Sequence, residues 1–108
     1  MAAGGLHHWL VQRGTAAVLV LGLPAWAAYL AFNRPDDVVA WRALFASWPI
    51  RIAMLLTFVV IAVHAYLGVR DVAMDYVKPV VARLVVYGLV QLVLAGCVLW
   101  LGAILWGL

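Results

Sequence analysis

Residues 52–69 read IAMLLTFVVIAVHAYLGV. The stretch holds no Asp, Glu, Lys or Arg, and its ionisable side chains are His64 and, near the end, Tyr66. A spanning helix needs roughly 20 apolar residues, with about 17 as the lower limit, so this run is short but sufficient. An imidazole inside such a span is costly to keep there, which makes His64 a candidate functional group.

Two more apolar runs lie on either side, at residues 14–32 and 84–108. The 108-residue chain is 69% hydrophobic and 10% charged, with a mean hydropathy of +1.14. A soluble domain of this length cannot hide that much apolar surface, whereas a bilayer can serve as its solvent. The expected fold is all-α, a single membrane domain over 1–108. Spanning helices are expected near 14–32, 52–73 and 82–107, with a short interfacial helix near 37–48 between the first two. Ala25-Trp26-Ala27 loosely resembles a signal cleavage site. The first run is longer than a signal core and carries Pro24 late in it, so it is read as a span that Pro24 bends.

The connections carry the remaining information. Residues 1–5 read as a flexible start, and 6–13 as a polar-aromatic entry to the first span. Between spans one and two, Pro35, Asp36 and Asp37 offer a turn and an N-cap. Val38, Trp41, Leu44, Phe45 and Trp48 then recur at helical spacing until Pro49, the pattern of an interfacial amphipathic helix. The net charge of +3 comes from residues flanking the spans, a membrane-topology pattern rather than a nucleic-acid-binding face. Arg13, Arg70, Lys78 and Arg83 fall on one side, against Arg34, Arg42 and Arg51 on the other. The positive-inside rule thus puts the N-terminus inside, by one residue. The lone Cys97 can form no intrachain disulfide. No phosphate loop, Cys/His metal cluster or nucleophile–base pair is present, so any chemistry must come through a cofactor or a partner.

Three sets of residues can serve such chemistry. His64 is the first: a neutral imidazole ligates haem iron well, and membrane bundles hold cofactors between facing helices. Gly68 lies one turn beyond it, Ile61 and Thr57 extend the same stripe, and Ala62 and Ala65 keep the surroundings small. From the residues alone, haem ligand, proton relay and interhelical contact stand on an equal footing. A six-coordinate haem would need a second ligand from another polypeptide or a second copy. Asp75 and Tyr76 form the second set. A phenol can donate to a quinone carbonyl beside a proton-holding carboxylate, or the pair can be an interfacial anchor and a solvated acid. On a continuous helix Tyr76 would lie about 18 Å beyond His64, a distance that bending or the Pro79 break would shorten. Arg13 with His7 and His8 is the third set, suited to pairing with haem propionates or polarising a quinone oxygen, or to serving as a positive-inside anchor with interfacial imidazoles.

The run from His64 to Pro79, HAYLGVRDVAMDYVKP, closely resembles the hydrophobic membrane anchor subunit of succinate dehydrogenase, respiratory complex II. The family pattern is His-Ala-aromatic-x-Gly, then Asp-Tyr starting eleven residues after the histidine, then x-Lys-Pro, and all of it is present. His8 to Ala16, HWLVQRGTA, is similar to the family's entry into its first helix. Length and three-span layout agree, so the resemblance covers nearly the whole chain, with the third span matching only in character.

The resemblance implies specific roles. His64 would be an axial ligand of haem b and thus bind its iron, with the second ligand from the cytochrome b subunit. Tyr76 would hydrogen-bond ubiquinone, Asp75 would support that site, and Arg13 would lie near the haem propionates. The chain would be a non-flavin subunit, not catalytic alone, of succinate:ubiquinone oxidoreductase. Its partners would be the cytochrome b subunit, the iron–sulfur subunit, the flavoprotein subunit and membrane lipid, with no nucleic acid. It would sit in the bacterial inner membrane with a cytoplasmic N-terminus. Arg70 and Asp71 depart from the apolar or neutral residues that relatives can carry there, a change expected to touch partner contacts. Two rival readings use the same residues: a small proton-coupled transporter subunit relaying through His64 and Asp75, and a haem-free anchor that only tethers soluble partners.

Overall fold

A computed structural model describes residues 2–108, with side chains from Gly5 onward. Four helices follow in order: α1 (Ala2–Phe32), α2 (Val38–Ala46), α3 (Trp48–Tyr76) and α4 (Val80–Trp106). No strand occurs among the described residues. At 1.5 Å per residue, α1, α3 and α4 are about 46, 43 and 40 Å long. All three are long and apolar enough to cross a membrane. Each exceeds the roughly 30 Å hydrocarbon layer, so their ends reach the headgroup zone.

The helices begin earlier than hydropathy alone predicts. α1 starts at Ala2, so the segment expected to be a flexible start is helical from that residue, and Met1 lies outside the described residues. Hydropathy locates the apolar layer, not the helix end, and nothing between Ala2 and Arg13 lacks a backbone donor to stop a helix. α1 also runs through Pro24, which leaves the Val20 carbonyl without its usual i+4 donor.

α2 is shorter than its sequence pattern. Asp37 caps it, the carboxylate accepting from the Ala40 N–H at 2.7 Å, and it ends at Ala46. The Trp41 and Phe45 rings stack with centroids 5.9 Å apart and planes 9° apart. Pro49 ends this pattern by opening the next helix, since it sits in the first turn of α3, where a missing N–H costs nothing. α3 then continues to Tyr76, three residues past the expected end, and the Val77 N–H closes it onto the Ala73 carbonyl at 2.9 Å.

α3 is the middle of the molecule. α1 packs on one part of it and α4 on another, and α1 and α4 share no contact among the described residues. α2 rests on α3 and α4. Arg51, at the start of α3, holds its guanidinium 5.6 Å from the Trp106 ring centroid and so ties that end of α3 to the end of α4. Such an open arrangement has almost no interior. Among the described residues only Ala73 and Leu105 are buried, at 4% and 3% exposure.

A single polar bond fixes the far end of the α1–α3 contact. The Trp26 indole N–H donates to the Thr57 hydroxyl at 2.9 Å, and that hydroxyl donates to the Ala53 carbonyl at 2.7 Å. Thr57→Val removes the acceptor and strands the indole N–H. Interhelical bonds of this kind average about 0.6 kcal/mol in membranes, with about 1.7 as an upper value. The variant is therefore expected to unfold at lower denaturant in graded SDS titrations of the detergent-solubilised protein, and unchanged midpoints would show the bond to be energetically silent.

Candidate functional site

Two further polar contacts continue the α1–α3 seam. The Thr15 hydroxyl lies 2.9 Å from His64 Nδ1, and His8 Nε2 lies 2.9 Å from Asp71 Oδ1. Thr57, His64 and Asp71 are seven residues apart on α3, two helical turns, and so share one stripe. Their α1 partners, Trp26, Thr15 and His8, descend as the α3 residues ascend, the signature of an antiparallel pair.

At the upper end of the seam His8 uses both ring nitrogens. Arg70 Nη1 lies 2.8 Å from His8 Nδ1. Arginine only donates, so Nδ1 accepts and Nε2–H donates to Asp71. Arg70 and Asp71, expected from the sequence to touch partners, are thus bound to α1 of their own chain. Asp71 is half exposed, so its pair with His8 is worth little in stability. Its effect is positional, holding α1 against α3 where the helices leave the hydrocarbon.

Between these contacts lies a cavity of about 500 Å³, lined among others by His8, Trp9, Gln12, Arg13, His64 and Asp71. The Arg13 guanidinium lies 5.8 Å from the Trp9 ring centroid, so its charge is held beside the cavity by a cation–π contact. Gln12 Oε1 is enclosed and has no hydrogen-bond partner among the described residues. One turn from His64, a Cβ added to Gly68 would meet nothing within 4 Å. The chain's own packing does not explain a glycine there. Among the described residues no three His, Cys, Asp or Glu side chains are gathered for a bare metal ion.

His64, Arg13 and His8 therefore meet at one cavity. His7 is exposed and does not line it. Asp75 and Tyr76 lie elsewhere, at the end of α3, both exposed, with Tyr76 at 80%. α3 is unbroken from His64 to Tyr76 and Pro79 lies beyond its end. The axial distance of about 18 Å thus stays unshortened. At about 100° per residue, Asp75 is about 20° from His64 around the helix and Tyr76 about 120°. Asp75 continues the His64 stripe, while Tyr76 faces another direction.

Sequence reasoning does not single out Thr15, although a signal for it exists. Thr15 follows His8 by seven residues, the interval that separates His64 from Asp71, and a hydroxyl in an apolar run commonly bonds across helices. The pairing itself depends on which helices touch, and periodicity is silent on that.

Comparison with known proteins finds relatives over nearly the whole chain. The succinate dehydrogenase/fumarate reductase transmembrane subunit family matches residues 2–103. The succinate dehydrogenase hydrophobic membrane anchor subunit of Coxiella burnetii is 32% identical over 102 residues, covering 94% of this chain and 89% of that protein. The anchor subunits of Rickettsia bellii and Rickettsia conorii are 39% identical over 81 residues and 34% over 83. Each of those two matches covers 71% of this chain and 62% of the relative, so the chain spans under two thirds of the rickettsial proteins. With the match running from the first turn of α1 into the last turns of α4, this multi-pass membrane chain belongs to the succinate dehydrogenase/fumarate reductase transmembrane subunit family.

Proposed function

We propose that this chain anchors a succinate:ubiquinone oxidoreductase in the bacterial inner membrane. In this reading His64 is one axial ligand of haem b, and Asp75 and Tyr76 contribute to the ubiquinone-reduction site. The observation that carries it is the setting of His64, which hydrogen-bonds α1 through Nδ1 and lines a cavity that Arg13 also lines.

The residues present fit half of a haem site. A neutral imidazole is a good iron ligand. Arg13 suits a propionate carboxylate, the enclosed Gln12 Oε1 has no partner among the described residues, and the open space at Gly68 admits a flat ring. A second iron ligand would come from the cytochrome b subunit. When bound, haem b would supply a one-electron store.

The rest is done by the chain's own side chains. Quinone reduction takes up two protons with two electrons, so its site belongs near water. Tyr76, at the outer end of α3, donates a hydrogen bond to the quinone carbonyl, which polarises it for reduction. Asp75 holds or relays a proton beside it. Succinate is oxidised in the flavoprotein subunit, and its electrons reach the quinone through the iron–sulfur subunit. The flanking arginines and lysine orient the N-terminus and this loop toward the cytoplasm.

Three measurements bear on this reading. In purified complex, His64→Ala is expected to remove the b-type band from the dithionite-reduced minus oxidised spectrum, and an undiminished band refutes the ligand role. Tyr76→Phe should slow quinone reduction about tenfold, the worth of one hydrogen bond of about 1.4 kcal/mol. Succinate oxidation with an artificial dye should survive it, and equal losses in the two assays count against Tyr76. Gly68→Leu is expected to leave the membrane level of this chain intact, because a Cβ there meets nothing, while haem content or assembly with the cytochrome b subunit falls. A variant with normal haem and normal assembly would mean that nothing occupies that space.

A further inference from the structure

We infer that Thr15 is a positioning residue for His64. It holds the imidazole as the Nδ1–H tautomer, so that Nε2 is the nitrogen available to iron, and it raises that nitrogen's donor strength. The inference rests on the haem-ligand reading of His64 and deepens it.

The argument is one of hydrogen counting. The Thr15 hydroxyl has a single hydrogen. Its oxygen lies 2.8 Å from the Val11 carbonyl and 3.1 Å from the Gln12 carbonyl, and both groups only accept. The hydroxyl proton is therefore committed to the backbone of α1. The third neighbour, His64 Nδ1 at 2.9 Å, then faces a lone pair and must itself carry the hydrogen. A neutral imidazole protonated at Nδ1 has its free lone pair at Nε2.

The seam makes this arrangement durable. Thr15 sits between two other α1–α3 contacts, Trp26 to Thr57 and His8 to Asp71, so neither helix can rotate without breaking polar contacts on both sides of it. The ring is fixed in direction as well as in tautomer. Ligating histidines in general donate their second N–H to an acceptor, which makes the bound nitrogen more basic. A more basic axial ligand favours ferric over ferrous iron, one of the ways a protein sets a haem potential.

The test uses the intact purified complex with Thr15→Val, which keeps the shape and removes the acceptor, and Thr15→Ser, which restores it. Two quantities are read: the haem-to-protein ratio and the haem midpoint potential in a spectroscopic redox titration. Loss of the hydrogen bond is expected to weaken ferric binding about tenfold relative to ferrous, the lower end of effects for groups behind a metal ligand. That factor corresponds to a midpoint about 59 mV higher for a one-electron couple. Thr15→Ser should return close to the parent value. A Thr15→Val complex with an unmoved midpoint overturns the proposal, even if haem content falls, because a merely structural threonine would lower occupancy without changing the haem that remains. His64→Ala run in parallel separates the two levels. If it loses haem while Thr15→Val leaves the midpoint unmoved, only the role of Thr15 fails. If it keeps haem, the ligand reading fails and the proposal falls with it.

Discussion

The arrangement of this chain depends on one constraint: polar side chains within an apolar layer must find partners on a neighbouring helix. α1 and α3 meet that constraint with three contacts along one stripe, at Trp26–Thr57, Thr15–His64 and His8–Asp71. Each is weak alone, since interhelical hydrogen bonds in membranes are worth about 0.6 kcal/mol on average. Their value lies in being collinear. A rotation of α1 by one residue, about 100°, would break all three at once and leave an indole, an imidazole and a carboxylate unpaired. Register is therefore specified by polar groups, where apolar packing alone would tolerate several rotations.

That same economy explains why so little of the chain is buried. With α1 and α4 both on α3 and not on each other, the three spans form an open set rather than a closed bundle. In water the exposed apolar side chains would be ruinous. In a bilayer lipid tails solvate them, and no hydrophobic term drives further closure. An open set keeps broad helix faces free for other helices, which suits a member of the family to which this chain belongs. It also leaves the cavity at His64 walled by α1 and α3, so that a completed site needs atoms from another chain.

The spans and the polar residues were legible in the sequence because each is a local signal. The run at 52–69 announces a helix by length and hydropathy, and His64 stands out within it because nothing else there is basic. The cap at Asp37 and the break at Pro49 were legible for the same local reason, although Pro49 proved to begin α3 rather than merely to end α2. Three things were not. The extension of α1 back to Ala2 was hidden because hydropathy measures the membrane, and a helix continues past it wherever the backbone allows. The partner of His64 was hidden because helical periodicity gives a face without naming the neighbour that meets it. The contacts of Arg70 and Asp71 with His8 were hidden because nothing in their own segment predicts that a residue more than sixty positions away supplies both.

The stripe on α3 also orders the proposed chemistry in space. His64 lies inside the apolar layer, Asp71 lies two turns further out, and Asp75 lies a turn beyond that on the same face, while Tyr76 is turned about 120° away. A carboxylate stripe on the α1 side and a phenol on another face divide two tasks at one helix end. The carboxylates lie where water and protons reach the chain. Tyr76, at the rim and 80% exposed, points to a volume that this chain does not enclose. A quinone bound there would be walled by other polypeptides and hydrogen-bonded by this one through the Tyr76 hydroxyl, with Asp75 one residue away. The continuity of α3 from His64 to Tyr76 fixes the axial separation of those two groups at about 18 Å, and bending within the chain does not shorten it. Bringing a cofactor at His64 close to a quinone at Tyr76 therefore falls to the breadth of the bound molecules and to the partner chains that complete both sites.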